Sequence, residues 1–484
     1  MERCKRLFSG LGDRFLLTQS QELRGVSTAR WMAVAFVLYG LTAIAFLAIN
    51  VPPFQAPDEH HHFMRAAQIA DGTLVGTRSS EIAADGSAHV IAGGAVDPAI
   101  ENAFAAFDSL RFDPESRARL ADWAPDIQWS DKRVFERFPN TALYPPFFYL
   151  PSALGILIGR TAQLSVVQTL ALSRILNGVI AVAVGATAII IARGAAAWIF
   201  TILALPMSLS LIASASQDAM LLACSALAGA LTVSALRQPG AWNGKFFALL
   251  TGMVGLVAMA RPPYLALAML PLGMTKVALR WRILAAVLVT ICVATWSLIV
   301  LDNTWTDFFS KAWKSDPAAQ LARLHDDPFF IAHVATATLY QNWRDYLYMF
   351  VGVLGWLDTR LPLAYYRAAD VMLGVAAIAA MLGTTGNRLT PGSLLAVAAG
   401  LLLAISGMFA INYLIGTAPG GDIVVGIQGR YFLPLALAGA ALLPALGNTP
   451  AARLHMPLTA LVAAFPLISL AVVMHTIVLR YYLE

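Results

Sequence analysis

Six short clusters in this chain combine acids, arginines, histidines and aromatic rings at spacings that could do chemistry. The first is Pro52-Pro53-Phe54-Gln55-Ala56-Pro57-Asp58-Glu59-His60-His61-His62-Phe63, continuing to Arg65. Its prolines favour a rigid, extended approach to a helix expected over His62 to Asp71. Asp58 and Glu59 stand at the start of that helix. There they could cap it through the macrodipole, or act as a general base or metal ligand at a membrane–water boundary. Three consecutive histidines cannot all face one ion, because neighbours on a helix point about 100° apart. Glu59 and His62 do share a face. That leaves surface or structural roles for His60 and His61, and a candidate divalent-metal set of Asp58, Glu59, His62 and Asp218.

The second cluster, Tyr144-Pro145-Pro146-Phe147-Phe148-Tyr149, reads equally as an interfacial aromatic belt or as a sugar or lipid platform. The third, Ser214-Ala215-Ser216-Gln217-Asp218, sets an acid beside an apolar run, where an acid is functional unless it caps the next helix. The fourth, Arg261-Pro262-Pro263-Tyr264, puts a cation on a tight turn where an anionic partner is expected. The fifth, Gly355-Trp356-Leu357-Asp358-Thr359-Arg360-Leu361-Pro362, supplies Asp358. The sixth, Gln428-Gly429-Arg430-Tyr431-Phe432-Leu433-Pro434, supplies Arg430 and Tyr431. An arginine at such a rim suits a lipid phosphate, whose oxygens its planar fork binds bidentately; snorkelling to headgroups is the plainer use.

The elements that must position these clusters are apolar. Of 484 residues 58% are hydrophobic and 13% charged, with a mean hydropathy of +0.67. Soluble chains carry about a quarter charged residues, so a soluble enzyme, a nucleic-acid-binding domain and a disordered protein are excluded. The net charge of +5 fits lysines and arginines in cytoplasmic loops; no basic patch with interleaved aromatics points to nucleic acid. Cys4, Cys224 and Cys292 are too scattered for a metal or disulfide framework. No Walker loop, dinucleotide turn or zincin helix motif is present.

Spans need about 20 apolar residues. Eleven are expected: 31–50, 171–192, 195–213, 217–236, 246–260, 263–279, 283–301, 365–383, 393–415, 431–447 and 457–479. The tail 1–30, with six basic and three acidic residues, puts the N-terminus in the cytoplasm and makes 31–50 an uncleaved anchor. The segment 51–170 is then a periplasmic loop with juxtamembrane helices. Its stretch Val51–Leu143 holds 14 of the 28 acidic residues and is expected to form short helices on the membrane surface. Helices 2–7 cover 171–301, a second periplasmic loop 302–364, and the C-terminal helices 365–484. The segments 144–160 and 346–357 are ambiguous. If neither spans, the short cytoplasmic connections collect Arg193, Arg237, Lys245, Lys276, Arg280, Arg282, Arg388 and Arg453, so the positive-inside rule favours half-embedded or surface helices there. The fold class is an all-α integral membrane bundle.

The strings PPFQAPDEHHHFMRAAQIADG, YPPFFYLP, SASQD, RPPYL, GVLGWLDTRLP and QGRYFLP closely resemble a family of bacterial multi-spanning membrane proteins, domain-of-unknown-function family 2142. They look like a branch of the GT-C glycosyltransferases, in order over roughly residues 45 to 440. The resemblance implies a bacterial inner-membrane transferase. It would move a sugar from a polyprenyl-phosphate-linked donor to an envelope glycan or other periplasmic acceptor, with inversion. It implies Asp58, with Glu59, as the catalytic acid of the first outer loop and Asp218 as the second-loop acid. Arg430, with Arg261, would hold the donor phosphate, and the divalent cation is optional. His62, Arg65, Tyr144, Tyr264, Asp358 and Tyr431 complete the expected binding residues. The rival reading is a transporter or flippase for lipid-linked glycans. Such a protein needs charges near the bilayer midplane, whereas here acids gather at one rim. A non-catalytic subunit of an envelope assembly is a third reading.

Overall fold

The computed structural model describes residues 2–82, 88–118, 127–237, 243–306, 314–386 and 389–483. Among the described residues, seven stretches are long and apolar enough to cross a membrane: Val26–Asn50, Val166–Ala204, Asp218–Arg237, Leu279–Asn303, Leu363–Gly383, Pro391–Gly416 and Pro450–Tyr481. Three shorter apolar stretches, Gly244–Ala260, Pro262–Leu272 and Gly429–Leu442, pack among them. The chain is a mostly helical, multi-pass membrane protein.

Local chemistry explains where these helices start and break. Ser165 and Gln168 form a reciprocal capping box that opens Val166–Ala192. Leu205 is extended ahead of Pro206 and divides Ala196–Ala204 from Pro206–Ile212. Prolines also explain why two expected spans are shorter than a membrane crossing. The 263–279 segment is a 3-10 turn, Pro262–Ala268, followed by Met269–Leu272. The 431–447 segment is a 3-10 turn, Gly429–Phe432, followed by Leu433–Ala438 and a second 3-10 turn. The central Asp218–Arg237 helix is rich in Ala, Gly and Ser, so neighbours approach closely. A Cβ on Gly229 would collide with the carbonyl oxygen of Leu437.

The helix ends sort onto two faces. On one, the Tyr482 hydroxyl donates to the carbonyl of Asn50, joining the ends of the first and last helices. On the other, Arg237 donates to the Leu443 carbonyl and the Gly447 amide to that of Thr384.

A cap covers the Asn50 face. Its helix Glu59–Ala70 begins three residues before the expected 62 and buries Phe63, Met64 and Ile69 against Phe54, Phe104, Phe138 and Tyr149. The expectation of short helices alone in this loop is corrected by a three-stranded antiparallel sheet: β1 (Thr77–Ile82), β2 (Ala88–Val96) and β3 (Val134–Arg137), in the order β1-β2-β3. Thr77 pairs with Gly93, and Gly93 with Arg137. The small residues of β2 let the sheet lie close on the helix; the Gln68 amide occupies the space a side chain at Gly94 would need.

The segment 144–160 is a 3-10 turn, Pro146–Tyr149, and a 12-residue helix, Leu150–Thr161. At about 1.5 Å per residue that helix is too short for a hydrocarbon core of about 30 Å. The segment 346–357 is not a helix of its own. It holds the end of Phe330–Val351 and the first strand of a hairpin, β4 (Val353–Leu354), whose partner β5 (Thr359–Arg360) follows just beyond it. Gly355 (φ 63°) and Leu357 (φ 64°) make that turn, because left-handed residues cannot continue a helix.

Candidate functional site

Glu59 is fully buried and forms a forked ion pair with Arg174, Nε to Oε1 at 2.8 Å and Nη2 to Oε2 at 2.5 Å. Arg174 also donates to the carbonyls of Ala48, Val51 and Pro52. Glu59 Oε1 accepts the amide of Ala215. One pair therefore fastens the end of the first helix, the Pro52–Asp58 turns and the Ser214–Asp218 loop to one another. Every strong donor direction of Arg174 is used, and Glu59 has no free approach. The expected catalytic role of Glu59 is replaced by a structural one.

Asp58 takes the other course. The Pro52–Asp58 segment is not extended but folds into successive turns, with the Gln55 amide donating to Pro52 and the Glu59 amide to Ala56. Asp58 sits at φ 57°, ψ 14°, in the left-handed region, and its side chain does not cap the helix it precedes. That backbone costs about 1–2 kcal/mol for a residue with a Cβ, and such strain collects at functional sites. Its carboxylate is 39% exposed and lies 3.9 Å from Arg430. The Asn140 amide donates to its Oδ1 at 2.9 Å.

Asp218 is the first residue of its helix, and its amide donates to the Ser216 hydroxyl. Its carboxylate faces Arg261 at 3.4 Å and Arg430 at 3.4 Å. Both contacts are long beside the 2.7–2.9 Å usual for charge-assisted hydrogen bonds and beside the Glu59–Arg174 pair. Arg261 is stacked on the Tyr431 ring, 3.9 Å from its centroid. Its Nε is buried with no partner among the described residues. Arg430 is aimed by Gln428, which accepts from its Nε at 2.6 Å. Tyr264 supports the arrangement by donating to the Tyr431 carbonyl at 2.7 Å. Two arginines with donors to spare thus converge on one carboxylate beside a second, half-exposed one.

His62 closes the cluster. It shares a 2.7 Å hydrogen bond with the Tyr149 hydroxyl and lies parallel to Tyr144. Burial, opposed by Asp218 and Asp58, brings its pKa down to about 4, so it is neutral at pH 7. Burial likewise pushes Tyr144 up to about 12 and holds Tyr149 well above 10. Arg65 is fully buried and donates to Gln68 Oε1 and to the carbonyls of Leu74 and Tyr144. It positions Tyr144 rather than reaching the arginine–acid cluster.

Two expectations are not met. Asp358 stands apart, held by Arg480 at 3.4 Å, the Thr359 hydroxyl and the Phe112 amide. It ties the hairpin to the last helix and the cap. The metal set of Asp58, Glu59, His62 and Asp218 does not converge either. Glu59 is spent on Arg174, and among the described residues no three His, Cys, Asp or Glu side chains are arranged to hold an ion. Sequence reasoning missed Arg174 and Asn140, and it placed Tyr149 and Gln428 in clusters without giving either a role. Arg174 carried a usable signal, since a cation inside an apolar run needs a partner.

An apolar groove of about 1560 Å³ runs between the helices Gly244–Ala260 and Leu279–Asn303. Leu74, Val75, Pro146, Phe147 and Met259 line one end; Asn243, Lys276 and Trp281 line the other. Met259 lies two residues from Arg261 and Pro146 two from Tyr144, so the lining at the first end comes within two residues of the charged cluster along the chain, while the cluster's own side chains do not line it. The 17 residues of Gly244–Ala260 rise about 25 Å at 1.5 Å each.

No curated protein and no solved structure matches the chain. A family model does, over residues 41–438, a stretch that contains Asp58, Asp218, Arg261 and Arg430. The chain belongs to the family described as Predicted membrane protein (DUF2142).

Proposed function

We propose that this protein is a membrane glycosyltransferase that takes a sugar from a polyprenyl-phosphate-linked donor and gives it to an envelope glycan or another periplasmic acceptor. The observation that carries the reading is the pair Arg261 and Arg430, loosely held by Asp218 at 3.4 Å beside the half-exposed Asp58, with a long apolar groove whose lining reaches Met259, two residues before Arg261. An arginine pair with unused donors suits a phosphate, and an apolar groove suits a long hydrocarbon chain.

In this reading the donor's phosphate displaces part of the Asp218 contact and is bound by Arg261 and Arg430. The acceptor hydroxyl gives its proton to Asp58 as its oxygen attacks the anomeric carbon. The bond from that carbon to the phosphate oxygen breaks, and polyprenyl phosphate leaves with its charge met by the arginines. A single displacement inverts the anomeric centre.

The same reading places the protein in a bacterial inner membrane with the Asn50 face toward the periplasm. Support comes from the basic tail before the first span and from Arg193, Arg237, Lys276 and Arg282 gathered toward the other face. The eleven expected passes would require Val166–Ala192 and Ala196–Ile212 to cross separately and each of the three shorter apolar stretches to cross together with its flanking turns. The test is release of free polyprenyl phosphate from a panel of undecaprenyl-phosphate monosaccharides mixed with envelope glycan extract. Release, with an inverted product anomer, supports the proposal. Movement of intact donor across the bilayer without release would favour the flippase.

A further inference from the structure

Asp58 divides two environments. Its Oδ2 faces Arg430 and the phosphate-binding arginines, while its Oδ1 accepts from Asn140. On the Asn140 side lies a run of rings and polar groups for which the donor has no use. Beyond Asn140 and His61, the His60 ring is 3.8 Å from that of His61 and 5.7 Å from Trp356. His60 is flat against Phe104 at 4.0 Å, and its Nδ1 is buried without a partner among the described residues. The Trp356 indole is fixed by donating to the Phe54 carbonyl at 2.9 Å, in the same turn that presents Asp58. Arg111 lies 4.9 Å above the Trp356 ring, and Phe112, 62% exposed, meets that ring edge-on at 5.7 Å.

We propose that His60, His61, Asn140 and Trp356, rimmed by Arg111 and Phe112, form a second subsite that takes a hydroxylated sugar ring as the acceptor. The proposal rests on the transferase reading for its direction, because a general base must face the acceptor on the side away from the leaving group. The chemistry of the lining chooses the ligand class. Ring faces cover the apolar C–H surface of a sugar, while imidazole nitrogens and an amide bond its hydroxyls. Burial holds His60 near 2 and His61 near 4, so both imidazoles are neutral donors and acceptors at pH 7. The carboxylate of Asp108 is engaged by Arg111 at 2.8 Å, which leaves the patch unsuited to a cation. Because Trp356 is pinned by a hydrogen bond, little ordering remains to oppose binding.

The test is saturation-transfer NMR on the full chain in lipid nanodiscs. The probes are the methyl glycosides of glucose, galactose and mannose, with cyclohexanol as an apolar ring of similar size. Transfer to at least one glycoside is expected in the unmodified protein, weakened about tenfold or more in Trp356→Ala and His61→Ala, as loss of one good contact implies. Trp356→Phe and His61→Gln guard against misfolding and should weaken it less. No transfer to any glycoside, equal transfer to cyclohexanol, or undiminished transfer in folded Trp356→Ala would overturn the subsite. The two proposals fail separately. Polyprenyl phosphate release with an unchanged acceptor KM in Trp356→Ala removes the subsite alone. Glycoside binding lost in Trp356→Ala, in a protein that releases no polyprenyl phosphate, keeps the subsite and removes the transferase reading.

Discussion

Asp58 and Glu59 are neighbours in the chain whose carboxylates differ in burial and in how closely an arginine holds them. Glu59 is sealed against Arg174 at 2.5 and 2.8 Å, while Asp58 stays 39% exposed and 3.9 Å from its nearest arginine. The left-handed backbone at Asp58 separates them.

Removing the two acids should therefore have opposite consequences. Glu59→Ala strands the buried Arg174 and should cost about 3–5 kcal/mol, read as a lowered melting temperature in detergent. Asp58→Asn keeps the Asn140 neighbour and should leave the melting temperature nearly unchanged. Equal losses of stability in both would contradict the assignment of Glu59 as a fastener.

Arg430→Lys and Arg261→Lys should weaken binding of inorganic pyrophosphate, a probe for the donor's phosphate. Lysine supplies a point charge without the planar fork, so about tenfold weaker affinity is expected for each, a loss of about 1.4 kcal/mol. Affinity that survives both substitutions would mean the arginines do not face an anion.

Stability should depend on pH through the three histidines. His60, His61 and His62 are depressed to about 2, about 4 and about 4 from 6.5, chiefly by burial. The unfolded chain binds their protons first. Their contribution is thus fully present above about 6.5 and is lost as pH falls through 6 toward 4. The melting temperature should fall over that interval, and less steeply in His61→Gln. A flat profile in the unmodified protein would refute the buried neutral state.

Gly252 lines the groove, and a Cβ there meets nothing within 4 Å. Gly252→Leu should fill groove volume without a clash, and its better helix propensity gives no loss of stability. Use of long-chain donors should drop several-fold while a short-chain analogue reacts as before. Unchanged use of the long chain would place the hydrocarbon elsewhere.

How far the sequence could be read follows from which interactions are local. Membrane helices are legible because length and apolarity suffice, and the break at Leu205–Pro206 is legible once a proline is taken to stop a helix. The short stretches at 262–272 and 429–442 are harder: their apolarity extends past the prolines that end their regular structure. The β sheet was missed because Ala88–Val96 is half Ala and Gly, and its stability comes from the helix it covers. Asp58, Asp218, Arg261 and Arg430 could be singled out because each is a charge set beside an apolar run. Their meeting could not, since Arg430 and Asp218 are 212 residues apart in the chain. Glu59 and Asp58 look alike in sequence; only Arg174, 115 residues away, tells them apart. Asp358 lay in a motif with the same outward signs, yet it is taken by Arg480 at the end of the last helix.

The most direct test of the account is single-turnover transfer from an undecaprenyl-phosphate monosaccharide by the purified protein and by Asp58→Asn. The account predicts release of undecaprenyl phosphate by the unmodified protein and a loss of about 10²–10⁴ in rate in the variant, the usual worth of a general base, with its fold and pyrophosphate affinity retained. Release at an undiminished rate in a folded Asp58→Asn protein would contradict it.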